Sequence, residues 1–175
     1  MALTQVRPAG LIFPTDSILQ VKSTTKTDIA SFSSSSTSDF VDLSGLSVSI
    51  TPISASNKIL VMFTVNVAQS TTATVHVRLV RDSTAIYIGD QGGTNSIRSS
   101  VLVRNNGTPY VYEIPNLSGT HLDSPNTTSA VTYKLQGTLG STYSGTFYVN
   151  RMGSDGNSDF QGRPASNITV MEIAG

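Results

Sequence analysis

Lys58 to Ala68 reads KILVMFTVNVA. Ile59, Val61, Phe63, Val65 and Val67 fall on one side of a two-residue period, and Leu60, Met62, Thr64 and Asn66 on the other, so the segment is a strand and not a helix. The same alternation recurs along the chain between turns rich in Ser, Thr, Gly and Asn. No window of helical length places apolar residues at i, i+3, i+4 and i+7 on one clean face. The chain therefore reads as an all-β domain.

Working outward, Ile18 to Lys22 is a first short strand, and Phe40 to Leu43 a second. Leu46, Val48 and Ile50 alternate with Ser47, Ser49 and Thr51 in a strand with one wet face, closed by Pro52. The run from Ser31 to Ser38 reads equally as a loop or as a hairpin with polar outer faces. Val75, Val77 and Leu79 alternate with His76, Arg78 and Val80, which places His76 on the outward face, and Asp82 with Ser83 turns the chain into Ala85 to Ile88. Gly89 to Asn95 is glycine-rich and reads as a loop. Ser99 to Arg104, Tyr110 to Ile114, Val131 to Leu135, Thr146 to Asn150 and Ile168 to Ile173 complete the set. About 8–10 strands at these spacings point to an antiparallel, jelly-roll-like β-sandwich. There is no internal repeat of the kind that marks a propeller or solenoid.

Pro8 and Pro14 flank the apolar group Leu11, Ile12 and Phe13, and proline keeps such a segment out of central strands. Residues 1–17 are read as an extended docking arm and residues 18–175 as a single sandwich domain. With 175 residues, one domain can bury roughly 70% of its unfolded surface. There is no cysteine, so disulfides, thiolate metal sites and a Cys nucleophile are excluded together. Lys plus Arg and Asp plus Glu number 11 each, which lacks the basic surplus that phosphate contacts to a nucleic acid demand. Glu occurs twice, at Glu113 and Glu172, against a Ser and Thr content of about a quarter, a composition suited to strands. Low charge leaves the sheet edges with few lysines to discourage strand addition, so neighbouring subunits are expected to cover them. No apolar run reaches the roughly 20 residues of a membrane-spanning helix, and the first residues lack the apolar core of a secretory signal.

Candidate chemistry is sparse. His76 and His121 are the only histidines, with no second His at ligand spacing. Asp155, Asn157 and Asp159 have the odd-position oxygens of a calcium loop. However, Phe160 stands where that loop needs Gly and Ser166 where it needs Glu, leaving only a looser ion site or a plain polar turn. No Gly-x-Ser-x-Gly elbow is present, and no pair among nine Asp and two Glu stands out as a glycosidase dyad. No cofactor is expected. Tyr110, Tyr112 and Tyr143 are candidates for stacking on sugar rings, with packing against a sheet or subunit as the plainer role.

The blocks ILQVKSTTKTD, VDLSGLSVSITPISASNKILV, VRLVRDSTAIYIGD, LDSPNTTSAVTYKLQ, FYVNR and ITVMEIAG resemble, in this order, a family of small β-sandwich proteins of bacteriophages, notably phages of marine and freshwater bacteria including cyanobacteria. The resemblance runs from about Ile18 onward and implies a virion structural or tail-fibre component with no catalytic residues. The expectation is a non-enzymatic virion protein assembled in the host cytoplasm, a homotrimer whose arm docks onto another virion protein and which contacts host-surface glycans. A capsid decoration or head-fibre protein is the alternative, and a carbohydrate-active enzyme a more distant one.

Overall fold

In a computed structural model, residues 14–34, 36, 39–70, 72–104, 112–140 and 145–175 are described. They contain eleven strands: β1 Ile18–Lys26, β2 Ala30–Ser34, β3 Val41–Ile50, β4 Lys58–Gln69, β5 Thr74–Arg81, β6 Thr84–Ile86, β7 Val101–Arg104, β8 Asn116–Asp123, β9 Val131–Leu139, β10 Gly145–Val149 and β11 Ser166–Ile173. All pairings are antiparallel.

The larger sheet is built on β4, with β11 and then β1 on one flank and β8 on the other. Asn66 marks the place where the first flank changes hands: its N–H donates to Ser166 Oγ and its carbonyl accepts from Asn150 N, so β10, and β2 beyond it, continue where β11 leaves off. The smaller sheet runs β3-β9-β5, and β5 is shared lengthwise between β7 and β6. Setting aside the added β2–β10 pair, the orders β1-β11-β4-β8 and β3-β9-β5-β7 are those of a double Greek key, the jelly-roll arrangement that packs two sheets over one core.

The decisive stretch behaves as its period dictates. Ile59, Val61, Phe63, Val65 and Val67 are buried and pack with Val75, Val77, Leu79, Tyr133, Leu135, Phe147, Ile168 and Val170 in one cluster. Two expected strands, Phe40 to Leu43 and Leu46 to Ile50, are one. The register slips between Asp42 and Ser47, and Gly45 takes φ +81°, a bulge that glycine makes easily. The Ser-rich run enters β2 as far as Ser34. Of the expected strand Tyr110 to Ile114, the described Tyr112 to Ile114 are irregular, and a strand lies further on, at β8. Its inward positions are Leu117, Gly119, His121 and Asp123. A side chain at Gly119 would meet the Phe63 ring at 2.6 Å, so bulk from β4 fills what β8 omits.

Candidate functional site

The two outward faces of the sandwich differ in chemistry. On the smaller sheet, polar side chains satisfy one another. Ser49 and Thr132 share a hydrogen bond at 2.8 Å, Lys134 pairs with Asp42 at 2.8 Å, and Gln136 donates to Asp42 and accepts from Arg78. Arg78 also lies 3.9 Å over the Phe40 ring. The hydrogen bonds from Lys134 and Gln136 hold the Asp42 carboxyl below its usual range. These polar groups are paired with one another, and Leu102 of β7 is exposed beside them.

The face of the larger sheet has a polar group of its own, in which Ser23, Asn167 and Thr169 bond one another, and beside it runs an apolar strip. Register sets Val21 opposite Met171, Met171 opposite Leu60 and Leu60 opposite Leu122. All four point outward and form one apolar row across β1, β11, β4 and β8. Val21 is 51% and Leu122 49% exposed. Ile18, 58% exposed, sits beside Ile173 one row nearer the strand end. On the opposite side of the row, Met62 stands between Thr120 and Thr169. There a shallow cavity of about 260 Å³ is lined by Met62, Thr64, Ser118, Thr120, Asn167 and Thr169. Short side chains around a long apolar one leave a depression that accepts an apolar knob.

The candidate residues read from sequence are dispersed. Pro8, Leu11, Ile12, Phe13, Tyr110 and Tyr143 lie outside the described residues. Pro14 is exposed and accepts from Ser17 N, while Asp16 N donates to the Ala174 carbonyl and Ala174 N to that of Ser17. The chain thus enters the fold beside the end of β11. Tyr112 is 53% exposed and meets Phe160, 58% exposed, edge to face at 5.3 Å. In the sequence, Phe160 stands out only as a flaw in a calcium loop. That loop is organised by arginine: the Asp155 carboxylate accepts from Arg163 at 3.0 Å and lies 3.7 Å from Arg151, and Gln161 Oε1 accepts from Gly156 N and Ser158 N. No cluster of three or more metal-ligating acids or histidines occurs among the described residues.

His76 is not on a wet face. It is buried, with Nδ1 3.3 Å from Ser99 Oγ, because the segment before β7 folds over that part of β5. Desolvation lowers its pKa. His121, on β8, stacks on Tyr87 at 5.3 Å. Tyr87 takes φ +51°, a left-handed conformation unusual for an aromatic residue, and its ring lies against β8 at His121 and Gly119.

No protein-family model and no curated protein matches the chain. Among solved structures, the chain is similar to the VP2 subviral particle of infectious bursal disease virus, at 15% identity and TM-score 0.45. It is likewise similar to the structure of the Gx strain of that virus, at 16% identity and TM-score 0.45. In both cases 99% of this chain is covered, but only 42% of the other, so it spans less than half the length of the chains it matches.

Proposed function

We propose that the protein is a non-enzymatic virion structural component, a trimeric tail-fibre or appendage module that serves assembly and host-surface adhesion. The observation that carries the assembly part is the contrast between the two outward faces. A continuous exposed apolar row on one sheet, where the other sheet's outward face has mainly paired polar side chains around a single exposed Leu102, is the asymmetry of a subunit that buries one side against a partner. The sequence blocks quoted above support the virion assignment, and a cyclic interface that closes at three copies accounts for the row without leaving it open to solvent. Residues before Ser17 act as the docking arm, followed by the sandwich domain from Ile18.

Adhesion is assigned to the exposed pair Tyr112 and Phe160. Both rings are more than half exposed, and an exposed aromatic ring is a surface on which the C–H face of a sugar ring stacks. Titration of the intact protein with host-surface polysaccharide, followed by tyrosine fluorescence, should saturate and should weaken at least tenfold in Tyr112→Ala. An unchanged titration removes the glycan contact.

The test of the whole reading is negative-stain imaging of purified virions labelled with antibody to this protein. Label on the tail or its fibres is the expected result. Label spread over the head makes it a decoration or head-fibre protein, and absence of label removes it from the virion.

A further inference from the structure

We infer that the outward face of the larger sheet receives the Leu11–Ile12–Phe13 segment of a neighbouring copy, with one apolar side chain seated in the cavity over Met62. The inference rests on the reading of residues 1–17 as a docking arm and names what the arm docks onto.

Size selects the kind of occupant. Four strands about 4.8 Å apart, and the rows from Ile173 to Thr169, bound an area on the order of 300 Å². A stable face-to-face dimer needs about 800 Å² per partner. The apolar part of the face falls short of that area by itself and matches a short extended segment. Leu11, Ile12 and Phe13 form a consecutive apolar triplet outside the described residues, and its chemistry matches the row Val21, Met171, Leu60 and Leu122.

Reach decides whose segment it is. Asp16 and Ser17 are bonded to Ala174, and Pro14 is tied to Ser17 by the turn between them. Leu11 precedes Pro14 by three residues, a span of at most about 10 Å. Thr169, on the cavity wall, is five residues along β11 from Ala174, about 16 Å at ~3.3 Å per residue. Even with about 5 Å of side chain added, a copy's own Leu11 could reach only the near wall of the cavity, whose far wall at Asn167 lies about 23 Å along β11 from Ala174, whereas a neighbour's triplet can lie along the whole face. Arm-to-face contact of this kind is head-to-tail, and it closes into a ring when the rotation permits.

The experiment uses full-length chains and light scattering after size exclusion. Wild type should exceed the 18.5 kDa protomer mass at micromolar concentration. Phe13→Asp, with arm damaged and face intact, and Met62→Lys, with face damaged and arm intact, should each run at protomer mass with self-association at least tenfold weaker. Mixing the two should restore a species of twice the protomer mass, because one sound arm then meets one sound face. Thr169→Lys replaces Met62→Lys if circular dichroism shows that the latter is unfolded. Wild type at protomer mass, Phe13→Asp at wild-type mass, or a mixture that stays at protomer mass would each overturn the inference. Virion labelling reads independently of these masses, so failure of the arm contact and failure of the virion assignment are told apart.

Discussion

Tyr133 Oη donates to Asp123 Oδ2 at 2.7 Å, joining the smaller sheet to the larger across one end of the core. The same carboxylate accepts twice from Arg81 Nη1 at 2.9 Å. Burial, followed by the hydrogen bond to Asp123, pushes the Tyr133 hydroxyl well above its ordinary pKa, so it stays a donor at any physiological pH. Tyr133→Phe leaves Asp123 paired with Arg81 and should cost about 1–2 kcal/mol. Asp123→Ala strands two partners at once and should cost about 3–5 kcal/mol. Urea denaturation checks the order: a Phe variant that loses as much as the Ala variant would show that the Arg81 pair contributes nothing.

Glu172 is fully buried, and its hydrogen-bond donors among the described residues are all uncharged. It accepts from Gln20 Nε2 at 2.6 Å, Ile53 N at 2.7 Å and Asn57 Nδ2 at 2.6 Å. Three donors from β1 and the turn before β4 thus converge on one side chain of β11. Glu172→Gln replaces an acceptor oxygen with an N–H₂ that faces a donor, and should destabilise by at least about 2 kcal/mol. A loss below about 0.5 kcal/mol in denaturant melts would contradict this account.

Gly119 and Phe63 occupy one space. A methyl group at residue 119 would sit 2.6 Å from the Phe63 ring and 2.9 Å from that of Tyr87, so Gly119→Ala should cost about 1–3 kcal/mol by overpacking. Phe63→Leu in the same chain should recover part of that loss relative to the sum of the single variants. Additive losses would mean that the backbone of β8, and not the ring, absorbs the strain.

His76 predicts a direction with pH. Its folded-state pKa lies below the ordinary 6.5 because burial disfavours the charged ring. As pH falls below 6.5 the unfolded chain therefore binds the proton first, and stability falls until the lower folded-state value is passed. Above that ordinary value this contribution is constant. Melting temperatures of wild type and His76→Gln, compared at about pH 7.5 and about pH 5, should show the smaller drop in the variant. Equal drops would assign the acid sensitivity elsewhere.

Alternation in the sequence determined much of the core: the inward residues of β3, β4 and β5 were legible because a two-residue period with Val, Ile and Leu on one side has a single buried solution. β8 was not legible for the opposite reason. Its inward positions are Leu117, Gly119, His121 and Asp123, and their partners Phe63, Tyr87, Arg81 and Tyr133 come from distant segments. Local pattern carries no trace of volume or charge supplied from elsewhere in the chain. His76 reads as wet in the sequence for the same reason, since the cover around Ser99 arrives from 23 residues away. The apolar outer positions Leu60, Met62, Leu122 and Met171 were visible as residues. Their alignment into one row required the register of four strands, which only the tertiary pairing fixes, because strand order and stagger are set by long-range packing and not by the period of any single segment.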